Sequence, residues 1–145
     1  MTSVYSRILS GELPARFVWQ DDLCVAFLTI HPLRPGHTLV VPRAEIDHWL
    51  ELPPELLGHL MDVSHQIGRA LQHGFHPLKV GMIIAGLEVP HAHIHLVPFH
   101  TMDELNFVRA DPNPRAEDLD QAAATIRASL AALGLGPAAT PGQGR

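Results

Sequence analysis

The amino-acid sequence predicts an α+β domain in which a long central helix and a C-terminal helix pack against an antiparallel β-sheet. Three observations predict it: strand-like segments outnumber helical ones, neighbouring strands are joined by short connections, and the longest helical segment falls between strand pairs. The 145 residues, 46% of them apolar, suit a single domain with a real core over residues 1–134. Residues 135–145, rich in Gly and Pro, are expected to be a disordered tail.

Taken in order, Ser3–Leu9 reads as a short helix stopped by Gly11 and Pro14. FVWQ (17–20) and CVAFLTI (24–30) flank a tight Asp21-Asp22-Leu23 turn and predict a hairpin. HPLRPG must be a loop because two prolines and a glycine interrupt it, and HTLVVP (37–42) has the β-branched density of a strand ending at Pro42. From Pro53 or Pro54 to His73, Leu57, Leu60, Met61, Ser64, Ile67 and Leu71 recur at three- and four-residue steps, predicting an amphipathic helix with Gly74 just past its end. Leu78–Ala85 and His91–Val97 read as a second strand pair broken by residues 86–90. Arg115–Leu133 predicts the last helix, with Glu117, Asp118 and Asp120 complementing its dipole and Leu119, Ala123, Ile126, Leu130 and Leu133 along one side.

Bulk properties exclude several functions. The net charge is −5 and the ten Lys and Arg residues are scattered, so long nucleic acid is an unexpected partner. No apolar run approaches the ~20 residues that cross a bilayer, and the start MTSVYSRILSGE has no signal-peptide core, so a cytoplasmic protein without membrane contact is expected. The single Cys24 forms no internal disulfide or cysteine-rich metal site and reads as a small buried strand residue.

Eleven histidines are the compositional oddity, and three of them alternate in HAHIHLV (91–97). In a strand the side chains alternate faces, so His91, His93 and His95 point to one side while Ala92, Ile94 and Leu96 point to the other. The apolar face can bury in a core while the imidazoles line a pocket. Three chemistries fit that placement: a solvated face, a pair of imidazoles sharing a divalent cation, or a neutral imidazole nucleophile with flanking imidazoles on an anion.

HAHIHLV resembles the signature of the histidine triad family, and HPLRPGHTLVVPR (31–43), with Pro35-Gly36-His37, resembles that family's second motif. SRILSGELPARFVWQDDLCVAFLTI resembles its opening segment, so the resemblance covers most of residues 3–99. It implies a nucleotide hydrolase or nucleotidyl transferase acting at the α-phosphate of a nucleoside phosphoramidate or dinucleotide, usually a homodimer, with no cofactor. It further implies that His93 is the nucleophile, that His95 and His37 contact the phosphate oxygens, and that His91 supports the network. Phe27, Leu28, Thr29 and Ile30 stand where relatives place the base wall and ribose contact, with Thr29 in place of the usual aspartate or asparagine. Gly86 offers a backbone N–H to the phosphate.

The chain also departs from that pattern. Many bacterial relatives carry a Cys-x-x-Cys that completes a zinc site; Ser3 and Ser6 stand there instead, so no structural zinc is expected. GMIIAGLEVP (81–90) carries Leu87 in place of a phosphate-facing glutamine, and Glu88 is expected to face solvent or pair with a cation. His31 is expected on a loop surface. The segment from Met102 onward resembles the family less, and its helix is expected to cover a hydrophobic sheet face. Two other classes stay open: a nucleotide-binding regulatory protein with little turnover, and a metal-dependent enzyme with HAHIH as ligands.

Overall fold

The computed structural model describes residues 2–137, and the expected tail beyond them lies outside the described residues. Helix α1 (Val4–Leu9) starts where the Ser3 hydroxyl accepts the Ser6 N–H at 3.0 Å. Strands β1 (Phe17–Gln20) and β2 (Cys24–Leu28) form the expected hairpin, whose turn is closed by the Asp21 carboxylate accepting the Leu23 and Cys24 N–H groups at 2.8 Å each. Strand β3 (Thr38–Pro42), helix α2 (Pro54–Phe75), strands β4 (Lys79–Ile83) and β5 (Ile94–Phe99) and helix α3 (Ala116–Ala132) follow. The five strands make one antiparallel sheet in the order β1-β2-β3-β5-β4.

Every residue of β2 and β3 is buried because the sheet is covered on both faces. On one side α2 and α3 pack Leu60, Ile67, Leu71, Ile126 and Leu130 against Ala26, Val40, Ile94 and Leu96. On the other, α1 lays Tyr5 over Val25, Phe27, Leu39 and Val41. The apolar residues of HAHIH therefore face α2, as their alternation predicts, and the histidines share the α1 side. No described helix is long and apolar enough to cross a membrane.

Three differences from the sequence reading bear on the site and its packing. Strand β5 begins at Ile94, so His91 and His93 precede it. Its ladder with β3 pairs Val40 with Ile94, and continuing that register would set Pro42, which has no N–H, opposite Ala92. The Ala92 N–H goes instead to the Ile46 carbonyl at 2.7 Å. Helix α2 runs two residues past His73 to Phe75 and is capped by His76, which adopts the left-handed conformation with φ 52°. Gly74 is thus helical, and its role is close approach: a Cβ there would lie 2.7 Å from Thr125 Cγ2 and 2.8 Å from Ser129 Oγ on α3. Finally, Leu135, expected in the tail, packs against the core beside α3.

Gly74→Ala tests this packing. Alanine improves an exposed helix interior by about 1 kcal/mol, whereas overpacking costs about 1–3 kcal/mol. The variant is expected to lose about 1 kcal/mol of stability in denaturant titration, and a gain would show that α3 yields freely.

Candidate active site

His95 lies on β5 opposite Leu39 of β3, whose other neighbour is Phe27 of β2. His37 is delivered just before β3 by Gly36, whose φ of +94° disfavours any side chain and where a Cβ would lie 3.0 Å from the Phe75 ring. His91 and His93 arrive from the loop that leaves the ladder at Pro42. The four imidazoles meet on the α1 side of the sheet, with the His93 and His95 rings 4.8 Å apart and the His37 and His95 rings 5.1 Å apart.

Backbone partners fix the tautomers. His93 Nδ1 lies 2.8 Å from the His91 carbonyl oxygen, which only accepts, so Nδ1 carries the proton and Nε2 the free lone pair. Among the described residues Nε2 has no hydrogen-bond partner, and it is not buried, since Ser64 Oγ is the one buried side-chain polar atom there without a partner. His91 is set the other way: Nε2 donates to the Pro42 carbonyl at 2.7 Å, leaving Nδ1 to accept the Ser3 hydroxyl at 2.7 Å. His37 Nδ1 accepts the Leu33 N–H at 3.0 Å, so its Nε2 donates to His95 Nδ1 at 2.9 Å. That leaves the neutral His95 ring with its proton on Nε2. Of the four, only His93 keeps its proton on Nδ1.

Burial favours the neutral form of His37, His93 and His95. Desolvation, reinforced by the charges that His95 and His93 would carry, pushes His37 down to about 3. Desolvation and then His93 push His95 down to about 4. His93 is also lowered, chiefly by burial, against the opposing pull of the His91 carbonyl and Glu88.

Two aromatic rings that the sequence reading did not place at the site frame it. Tyr5 stands edge-on to His93 at 5.0 Å and to His91 at 5.9 Å. Phe107, in a short turn after β5, stands edge-on to His95 at 4.9 Å and reaches His37 at 6.3 Å. Tyr5 carried a signal of burial in a short helix, but nothing local marked Phe107.

The residues expected to line the base and ribose are dispersed. Phe27 is 2% exposed and packed between Tyr5 and Phe17. Leu28 faces the opposite core, and Ile30 is exposed. Thr29 Oγ1 accepts the His31 N–H at 3.2 Å, and His31 itself is exposed. Gly86 lies near the Asp47 carbonyl, at the loop whose Leu87 projects into solvent. Glu88 is exposed as expected, yet its charge adds to the upward push of burial on Tyr5 and partly offsets the downward push of burial on His93. None of the ion pairs among the described residues includes it.

The residues at the Cys-x-x-Cys position do not fit zinc. Ser3 and Ser6 supply neutral hydroxyls, His91 Nδ1 is engaged by Ser3, and Glu45 Oε1 already accepts the Ser3 N–H at 2.6 Å and the Ser6 hydroxyl at 2.7 Å. A second group, Asp21, Cys24 and His59, brings three potential ligands together elsewhere. Its atoms are occupied by each other and by Trp19, which donates to Asp21 Oδ2 at 2.8 Å, so it serves as a polar clamp between the β1–β2 turn and α2.

A family model described as HIT domain matches residues 10–102. The chain belongs to the histidine triad family. An uncharacterised HIT-like protein of Methanocaldococcus jannaschii is 34% identical over 104 residues, covering 69% of this chain and 81% of that protein. The crystal structure of a zinc-bound histidine triad family protein from Mycobacterium smegmatis is 31% identical with a TM-score of 0.79, covering 92% of this chain and 96% of that one. A hypothetical histidine triad nucleotide-binding protein from Sulfolobus tokodaii, at 23% identity and a TM-score of 0.79 over 89% of this chain and 92% of its own, shares the fold. Membership places the chain in a superfamily of nucleotide-binding hydrolases and transferases.

The depressed histidines make stability depend on pH. In the unfolded chain these rings protonate near 6.5, whereas His95 and His37 in the fold do so near 4 and 3. The unfolded state therefore binds more protons across that window, and stability that is complete above 6.5 declines as pH falls towards 4 and 3. Urea midpoints measured from pH 7.5 to 4 are expected to show this fall, and His37→Asn is expected to make it shallower.

Proposed function

We propose that this chain is a nucleotide hydrolase or nucleotidyl transferase that attacks the α-phosphate of a nucleoside phosphoramidate or (di)nucleotide through His93. The observation that carries the reading is the tautomer of His93, whose Nδ1 proton is held by the His91 carbonyl so that Nε2 keeps the lone pair. The Nε2 lone pair forms a bond to phosphorus while the bond to the leaving group breaks, giving a nucleotidyl-histidine. The positive charge that develops on the ring strengthens the Nδ1–H bond to the carbonyl, an interaction gained on the way to the intermediate. Water or another acceptor then attacks phosphorus, the P–N bond breaks, and the neutral ring returns. His95 supplies its Nε2–H to the phosphate oxygens, and His37 supports it from behind by donating its own Nε2–H to His95 Nδ1. A homodimer accords with the family and with the exposed edge strand β4, where Met82 is 42% exposed.

One feature favours a second reading, a nucleotide-binding regulatory protein with little turnover. Glu88 places negative charge within reach of His93, where an incoming phosphate must approach.

His93→Ala is expected to abolish turnover of a fluorogenic nucleoside phosphoramidate while nucleoside monophosphate binding stays measurable by calorimetry; near-normal rates would remove the mechanism. With His93 lowered below its ordinary value, the acid limb of kcat/KM should fall below pH 6.5. Glu88→Gln removes the repulsion and is expected to tighten monophosphate binding by about two- to fivefold at low salt. Tight binding by the wild-type chain with no His93-dependent turnover would select the regulatory reading.

A further inference from the structure

The nucleophile's tautomer rests on one carbonyl, that of His91, so whatever fixes residue 91 fixes the chemistry. Residue 91 is not held by the sheet ladder, which β5 joins only at Ile94. Its own N–H goes to the Val89 carbonyl at 2.8 Å, and the next N–H, of Ala92, goes to Ile46 at 2.7 Å. Its fully buried ring is gripped at both nitrogens, by Pro42 on one side and by the Ser3 hydroxyl on the other.

We infer that helix α1, through Ser3 and with Glu45 of the β3–α2 connection, is a positioning element for the reaction: it locks His91, and through the His91 carbonyl it holds His93 in its reactive tautomer. The connection from residue 43 to residue 48 is the hub. Ile46 takes the Ala92 N–H, while the neighbouring Glu45 carboxylate accepts both the Ser3 N–H and the Ser6 hydroxyl, so one short segment ties α1 and the histidine loop together. Those two donors hold the Glu45 carboxyl down at about 2, which keeps it an acceptor across the working pH range. Within α1, the Ser3 hydroxyl receives the Ser6 N–H and spends its own proton on His91 Nδ1, so its orientation is determined. Tyr5 supplies a second, independent contact: two residues along the helix, its ring stands against the edge of His93 itself. These are the residues at the Cys-x-x-Cys position, and here neutral hydroxyls and one carboxylate do by hydrogen bonding what a metal cross-link would do by coordination. The inference rests on the proposed role of His93 for its kinetic consequence but not for its structural one.

The test uses the full chain with Ser3→Ala, Ser3→Thr, Glu45→Ala and Glu45→Gln. It reads ¹⁵N signals of the histidine ring nitrogens, kcat and KM on the fluorogenic phosphoramidate, and melting temperature on the same samples. Ser3→Ala is expected to shift His93 from a single Nδ1–H form to a mixture of tautomers. It is also expected to lower kcat about tenfold, in line with the sensitivity of aligned groups to displacements near 1 Å, with KM within about twofold. Ser3→Thr, which keeps the hydroxyl, should recover both. Glu45→Ala is expected to act in the same direction more weakly, and Glu45→Gln, which keeps an acceptor oxygen, should recover most of the loss. A Ser3→Ala protein that keeps the wild-type tautomer and kcat overturns the inference, whether or not its melting temperature falls. If the wild-type chain shows no His93-dependent turnover, the enzymatic reading fails, while the ring-nitrogen signals still decide whether α1 sets the tautomer.

Discussion

The hydrogen bond from His93 Nδ1–H to the His91 carbonyl, 2.8 Å long, is the constraint on which the rest of the site depends. It is available only because the chain at residues 91–93 is not in the sheet. In a regular ladder that carbonyl would face a strand partner. The ladder ends here because Pro42, facing residue 92 in the extended register, has no N–H to give. The same proline supplies the carbonyl that takes His91 Nε2–H. The ladder with β3 thus stops short of Pro42, the Pro42 carbonyl anchors the His91 ring, and the His91 carbonyl leaves the lone pair on His93 Nε2.

Burying an imidazole is costly when it is charged and tolerable when it is neutral and fully hydrogen-bonded. The fold uses that asymmetry. His37 and His91 are almost completely enclosed, and every ring nitrogen on either has a partner. The nitrogens left open belong to His93 and His95, where a substrate would sit. The apolar bulk that enforces this comes from both faces of the sheet: Ile94 and Leu96 anchor the strand against α2, while Tyr5 and Phe107 close in on the histidines.

Much of this was legible in the sequence. Period-two alternation in HAHIHLV separated a core face from an imidazole face, and Pro35-Gly36-His37 marked the fourth histidine, because both signals are local. The entry of β5 three residues late was not legible as such, since it depends on which residue of a distant strand lies opposite. Gly74 looked like a helix stop because glycine after an amphipathic stripe usually is one; its actual cause, Thr125 and Ser129 of α3, lies more than 50 residues away. Phe107 and Glu45 escaped for the same reason, as single residues in irregular connections whose roles exist only through contacts across the fold. At Phe27 the sequence could not separate a buried aromatic from a pocket aromatic, which look alike in a strand; the packing against Tyr5 depends on a contact across the fold.

A phosphate site made of neutral imidazoles has to solve a problem of proton placement. The atom facing phosphorus must be a bare lone pair, whereas atoms facing the phosphate oxygens must carry hydrogens, and both kinds must come from the same side chain two residues apart. Here the two requirements are met by giving neighbouring rings different partners. His93 meets a carbonyl, which forces the proton onto Nδ1, and His95 meets the Nε2–H of His37, which forces its proton onto Nε2. The second assignment is itself inherited from the Leu33 N–H, because that donor fixes His37. Neither ring chooses its own state; each is set by a backbone group one or two bonds removed. A ring with a free Nε2 lone pair and a ring with an Nε2–H can therefore stand 4.8 Å apart without exchanging roles. In the proposed reaction the His91 carbonyl keeps the ring proton of His93 on Nδ1, so that the nitrogen turned toward phosphorus is the one with the lone pair.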